Sequence, residues 1–133
     1  MKILQFTSLL FTTVLIHAFY LENIIYYNFA LLIAILSILT HGYNIKDKNC
    51  IKLIDKIVAH FIFIYILLID TPKIMKIQPL IIIFPILLSI IWIIEYIYPK
   101  YFILLHSIFH LVTITTLHFH LYYLKILELS YYD

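Results

Sequence analysis

The sequence contains no arginine, one glycine and one cysteine, and only 12% of its 133 residues are charged. In a typical globular domain roughly a quarter of the residues are charged, so a soluble chain of this size could not cover so much apolar surface. Binding of nucleic acid needs a clustered basic face, and the nine scattered lysines do not form one. The single Cys50 allows no intrachain disulfide. These shortages exclude a soluble fold, a nucleic-acid partner and a disulfide framework.

Hydrophobic residues make up 65% of the chain, and the mean hydropathy is +1.06. In hydrocarbon every backbone N–H and C=O must find its partner within the segment, so each long apolar run is interpreted as a helix of ~20 residues. The composition therefore predicts an all-α fold, a polytopic transmembrane helix bundle that forms one integral membrane domain over residues 1–133.

Five apolar runs are separated by short polar or proline-containing segments, among them a polar loop over residues 43–52. They predict transmembrane helices over residues 3–20, 24–41, 51–69, 77–98 and 100–123. The first run has the length of either a transmembrane helix or a signal sequence, but no A-x-A-like cleavage site follows it. We expect it to be a retained helix.

The distribution of lysines predicts an orientation for five such helices. Positive charge concentrates on the cytoplasmic side of membrane proteins, and the split here is six to three. The face on which the odd-numbered helices begin carries Lys2, Lys46, Lys48, Lys52, Lys56 and Lys100, and the opposite face carries Lys73, Lys76 and Lys125. We expect a cytoplasmic N-terminus and a C-terminus on the other side; the identity of the membrane is left open.

Polar residues inside membrane helices are costly and usually functional, and several lie at one depth here. Ser37 and His41 are four residues apart, hence on one helix face, near the end of the second helix. Asp55 lies just across the following loop, and His106 and His110 are again four apart near the start of the fifth helix. Three imidazoles are a complete protein ligand set for a catalytic zinc. We therefore predict a Zn²⁺ site at His41, His106 and His110.

The order Ser-x-x-x-His, Asp, His-x-x-x-His resembles the signature of the CREST superfamily of membrane hydrolases, which includes alkaline ceramidases, progestin and adipoQ receptors and myomaker-like proteins. The resemblance covers residues 37–113 and rests on five positions. It implies that the three histidines bind zinc, that Asp55 contacts the water on the zinc, and that Ser37 stabilises the reacting carbonyl.

The chain departs from that family in length. The family has seven helices, with the Ser-His helix second, the Asp helix third and the paired histidines on the seventh. Here one helix instead of three separates the last two motifs, and because the difference is even, each motif stays on its expected face. The acidic calcium-site pattern of ceramidases is missing from the N-terminal segment. The resemblance implies a shortened version of the fold.

Three functions remain open on the sequence. The first is a zinc-dependent membrane hydrolase of a lipid amide or ester, with Asp55 and Ser37 as catalytic residues and a membrane lipid as substrate. The second is a non-catalytic structural or interaction protein with a metal staple, and the third is a haem-binding protein that uses two imidazoles such as His60 and His118. The sequence identifies no substrate, protein partner or oligomeric state, and it leaves enzymatic activity open.

Overall fold

The computed structural model describes residues 2–42 and 48–131, and within these ranges the chain is helical apart from short turns at residues 10, 21–23, 76–78, 98 and 131, with no strand. The predicted all-α fold is confirmed. The α-helices are α1 (Lys2–Leu9), α2 (Phe11–Tyr20), α3 (Ile24–Gly42), α4 (Lys48–Tyr65), α5 (Thr71–Met75), α6 (Ile83–Ile97) and α7 (Phe102–Ser130). A π-helical turn (Ile66–Asp70) joins α4 to α5, and 3₁₀ turns (Pro79–Ile82, Pro99–Tyr101) precede α6 and α7.

Four of the helical segments in the described ranges are long and apolar enough to cross a membrane, as in an integral membrane protein. They are Ile3–Tyr20, Ile24–His41, Pro79–Ile97 and Pro99–Ser130. The predicted span over residues 51–69 is helical but is not among them, since α4 carries four charged residues, Lys48, Lys52, Asp55 and Lys56. This helix begins at Lys48, so residues 48–52 form its first turn and not a loop. Residues 43–47 of the predicted loop lie outside the described residues.

Each interruption of a helix coincides with a residue that weakens the helical hydrogen-bond ladder. The first rod, formed by α1 and α2, is interrupted at Leu10. Just before this point the hydroxyls of Thr7 and Ser8 both donate to the Leu4 carbonyl, and such back-bonding bends helices. The π-helical turn directly precedes α5, in which Pro72 has no N–H to donate. Pro79 and Pro99 lie in the first turns of their helical segments, where a missing N–H costs little.

The segments form five rods that run alternately up and down. Contacts such as Ser8 to Ser37 and Glu95 to His106 join antiparallel neighbours, whereas the α1–α2 rod lies parallel to α7. Small buried residues allow α2 and α3 to approach closely, and α4 packs against α3 while α6 packs against α7. The central core consists of Phe11, Val14, Ala18, Tyr26, Ala30, Ile33, Ala34, Ile62, Ile66, Ile114, Leu117 and Leu121.

Candidate metal centre

His41, His106 and His110 converge at the end of the bundle where α3 ends and α4 and α7 begin. Each offers one ring nitrogen, and these three nitrogens lie within 4.8 Å of one another. The ring centroids are 5.2 Å apart for His41 and His106, 5.8 Å for His41 and His110, and 4.6 Å for His106 and His110. The group could hold a metal ion, as the spacing of the histidines predicted.

Asp55 and Ser37 border the same space. Both line a cavity of about 80 Å³ together with His106 and His110. The Asp55 carboxylate interacts electrostatically with the His106 ring and with Thr40, and Ser37 is almost completely buried. The rest of the lining is mostly apolar and comes from five helices, α2, α3, α4, α6 and α7, with Ile33, Phe63, Leu88 and Leu117 among its members. Four of the five residues singled out from the sequence thus line one chamber, and His41 meets it through its ring contacts with His106 and His110.

Glu95 holds the His106 ring from the side of α6. Its two carboxylate oxygens lie 3.1 and 3.2 Å from Nδ1 of His106, and both side chains are largely shielded from solvent. Phe102 and Phe109 stack against the same ring with interplanar angles of 17° and 11°. A carboxylate can only accept at this distance, so the imidazole Nδ1–H is the donor.

Thr7 holds the His110 ring from the side of α1. Its Oγ1 lies 3.0 Å from Nδ1 of His110 and 3.1 Å from the Leu4 carbonyl. The Phe11 ring meets the same imidazole edge-on, with the centroids 5.5 Å apart. Because His110 is buried, its orientation is fixed by these two neighbours on the α1–α2 rod.

Ser37 is paired with Ser8, whose Oγ lies 2.7 Å from the Ser37 Oγ. Ser8 Oγ also lies 2.7 Å from the Leu4 carbonyl, which can only accept. A hydroxyl has one proton, so when Ser8 donates to Leu4, Ser37 must donate to Ser8. For Ser37 to donate towards the chamber, Ser8 must turn its proton from Leu4 to Ser37.

The other four histidines have partners elsewhere, as expected for residues that link or cap helices. His17 and His118 are joined through their Nδ1 atoms at 2.8 Å, and His120 meets the Thr71 hydroxyl at 3.1 Å. His60 is exposed, with Nδ1 2.6 Å from the Lys56 carbonyl and its ring against Trp92. His60 and His118 therefore occupy separate settings, which gives no support to the predicted haem pair.

Glu95, Thr7 and Ser8 were not predicted as parts of the site. A sequence signal exists for Glu95, because residues equally distant from the turn of an antiparallel helix pair face each other. The contacts of Glu95 with His106, Phe84 with Phe119 and Gln78 with Tyr123 all follow this register about the Pro99–Tyr101 turn. For Thr7 and Ser8 the sequence has no comparable signal, since membrane helices contain many hydroxyls that bond only their own preceding turn.

The chain was compared with known proteins to ask whether this arrangement has relatives. No family model matches the sequence, and neither a curated protein nor a solved structure gives a significant match.

Proposed function

We propose that this protein is a zinc-dependent membrane hydrolase that cleaves a lipid amide or ester, a shortened relative of the CREST superfamily. The observation that carries the proposal is the convergence of three imidazole nitrogens within 4.8 Å beside a carboxylate in an apolar chamber. Nitrogen donors suit zinc, and three of them leave a fourth position open, as in catalytic sites. The chemistry that the sequence resemblance implies is compatible with this arrangement.

The dimensions of the cluster suit zinc. Three atoms within 4.8 Å of one another have a common centre within about 3 Å of each, and zinc–imidazole bonds are ~2.0–2.1 Å long. Side-chain shifts of about 1 Å would complete the coordination. The donor set contains no thiolate or thioether, which copper(I) and iron–sulfur clusters favour, and no ring of carboxylates, which calcium requires.

In the proposed mechanism Asp55 is the general base. Bound zinc supplies a positive charge that acidifies water and polarises a carbonyl. The Asp55 carboxylate takes a proton from the attacking water and returns it to the leaving amine or alcohol. The Ser37 hydroxyl donates to the carbonyl oxygen as negative charge develops there, which requires Ser8 to turn its own proton towards Ser37.

The apolar lining of the chamber supports a lipid as the substrate. Lining residues such as Phe11, Ile62 and Phe63 offer no polar groups to a water-soluble substrate, whereas a hydrocarbon chain would be stabilised by their burial. The reactive bond would then lie at the polar end, between Asp55 and the histidines. A ceramide, an acylated amine or a lysolipid has this polarity.

Metal content and lipid turnover of the purified protein test the proposal together. We expect the wild-type protein to contain zinc and to hydrolyse one of these three lipid classes in bilayers. The double variant His106→Ala/His110→Ala should have neither property. The matched control is His17→Ala/His118→Ala, which removes two imidazoles that touch each other and not the cluster.

The outcome separates the candidate functions. Zinc without turnover on any of the three lipids would favour a metal staple in a structural protein. A haem absorbance band would favour the interpretation as a haem-binding protein. Zinc content that is unchanged in the His106/His110 variant would remove the basis of the proposal.

A further inference from the structure

We infer that Glu95 and Thr7 are positioning residues that fix the tautomers of His106 and His110, so that Nε2 of each ring is left to bind the metal. The inference rests on the proposed metal site and adds two residues that the sequence motif does not contain. Both contacts are made to Nδ1, at 3.1 Å from Glu95 and 3.0 Å from Thr7. A neutral imidazole has one N–H, and the nitrogen without it is the one that can ligate.

The assignment for His106 follows from the chemistry of its partner. Glu95 presents two acceptor oxygens to Nδ1, so the proton of the neutral ring is held on that nitrogen. Nε2 then carries a lone pair. A carboxylate that accepts from a ligating histidine also raises the basicity of the ring, and loss of such a partner typically weakens metal binding by 10–100-fold. Glu95 is thus expected to orient the ring and to strengthen its bond to the metal.

The assignment for His110 comes from the hydrogen bonds of Thr7. The Thr7 hydroxyl lies 3.1 Å from the Leu4 carbonyl, in the geometry of a donor. When its single proton points to Leu4, its lone pair faces His110 and accepts from Nδ1–H. The partner is neutral, so we expect Thr7 to select the tautomer with a smaller effect on metal affinity than that of Glu95.

The two positioning residues differ in how they reach the site. Glu95 is brought to His106 by the tight turn between α6 and α7, eleven residues away in sequence. Thr7 is brought to His110 only by packing of the first rod against the last helix, across a separation of 103 residues. The orientation of His106 is therefore fixed by a local turn, and that of His110 by the tertiary fold.

Zinc affinity of the whole protein in detergent is the first measurement. We expect Glu95→Gln to weaken zinc binding roughly 10–100-fold and Thr7→Val to weaken it by less than 10-fold. The control for the first is Glu128→Gln, since the exposed Glu128 pairs with Lys125 at 2.9 Å and lies outside the cluster. The control for the second is Thr12→Val, because the exposed Thr12 hydroxyl donates to the carbonyl of Leu9, one turn earlier in the chain. Both controls are expected to keep wild-type affinity.

Two results of that titration would overturn the inference. Wild-type affinity in Glu95→Gln would mean that the carboxylate does not act on His106. Loss of zinc as complete as in His106→Ala would make Glu95 a ligand and not a positioning residue.

Nitrogen-15 spectra of the metal-free protein, labelled at histidine, are the second measurement and require no metal. We expect His106 and His110 to show a protonated Nδ1 and an unprotonated Nε2. Spectra of the His106→Gln and His110→Gln variants identify the resonances of each ring. Glu95→Leu should give His106 a mixture of tautomers, and Thr7→Val should do so for His110. A His106 ring that is protonated at Nε2 or at both nitrogens in the wild type would refute the inference. If wild-type protein binds no zinc, the proposed function fails, and these spectra still decide the tautomers.

Discussion

Two aspartates of the third rod, which consists of α4, the π-helical turn and α5, are in contrasting environments. Asp70 is 3% exposed and accepts hydrogen bonds from the Tyr26 hydroxyl at 3.0 Å and from Lys73 at 3.2 Å. Asp55 instead lines the chamber beside His106. A carboxylate whose oxygens are occupied by two donors is suited to holding helices together, whereas one that borders a cavity can reach a substrate. Of the two aspartates, only Asp55 is placed to serve as the general base that we propose.

Replacement of Asp55 and of His110 should disable the proposed enzyme in different ways. Asp55→Asn keeps the size of the side chain but cannot take a proton, so we expect zinc to stay bound while turnover falls at least 100-fold. His110→Ala leaves two imidazoles, a poor site, so we expect the metal itself to be lost. Zinc analysis and lipid hydrolysis on the same preparations measure both effects.

The control for this pair is His60→Ala, which removes an exposed imidazole that contacts Trp92 and lies outside the cluster. Its zinc content and turnover should equal those of the wild type. Equal turnover by wild type and Asp55→Asn would exclude proton transfer by this carboxylate, whatever the state of the metal.

At the level of elements, the π-helical turn at Ile66–Asp70 marks the point where the third rod changes character. Before it, α4 carries Asp55, which lines the chamber; after it, Thr71 bonds to His120 of α7. Single π-turns inside α-helices are often retained for a specific role. Here the turn ends at Asp70, whose carboxylate links this rod to Tyr26 of α3.

Loss of the Tyr26 hydroxyl should destabilise the bundle without affecting the metal cluster. We expect Tyr26→Phe to lower the free energy of unfolding by roughly 1–2 kcal/mol, because the buried Asp70 carboxylate loses a donor. Thermal unfolding in detergent, with zinc content recorded in parallel, provides the measurement. The control is Tyr27→Phe, which removes the hydroxyl of a neighbouring tyrosine whose half-buried ring contacts Phe19. Equal stability of the two variants would contradict the linking role.

The sequence predicted the elements better than their ends. The length of the apolar runs located residues 3–20 and 24–41 as spans, and four-residue spacing placed Ser37 with His41 and His106 with His110. The end of the third rod was harder to predict. Pro72 indicates a helix end, whereas the π-helical turn allows the rod to continue to Met75. α7 continues to Ser130, past the predicted end at residue 123, because Lys125 and Glu128 pair on one helix face.

Within the site, residue type predicted the three histidines that could hold a metal ion, but not the residues that orient them. An imidazole in a membrane helix is rare enough to attract notice, whereas a threonine that bonds its own turn looks the same whether or not it also touches a histidine. Glu95 lies near the end of a predicted span, where water can reach a carboxylate, so its position in the sequence does not by itself indicate a histidine partner. Its contact with His106 depends on the register of two helices, which only the turn at Pro99 specifies.

For the molecule as a whole, the five rods formed by the described residues put Lys2 and Tyr131 at opposite ends of the bundle. Together with the lysine distribution, this predicts a cytoplasmic location for the end of the bundle that holds His41, Asp55 and His106. Cys50, in the first turn of α4, is exposed and is the single cysteine of the chain. It is therefore a natural reporter of this face.

Thiol labelling in sealed vesicles tests the orientation. We expect a membrane-impermeant reagent to modify Cys50 from the cytoplasmic side only. The matched control is the double variant Cys50→Ser/Ser130→Cys, which moves the thiol to the exposed end of α7 and should reverse the pattern. Labelling of wild-type Cys50 from the opposite side would invert the predicted topology.

The parallel contact between the first rod and the last helix has a consequence for biosynthesis. Thr7 and His110 are separated by 103 residues in sequence, yet their side chains meet in the folded bundle. The proposed metal site cannot form on a nascent chain that has not yet released α7. Until then the hydroxyls of Thr7 and Ser8 and the Ser37–His41 face lack their final neighbours. Formation of the proposed site therefore has to follow the synthesis of α7.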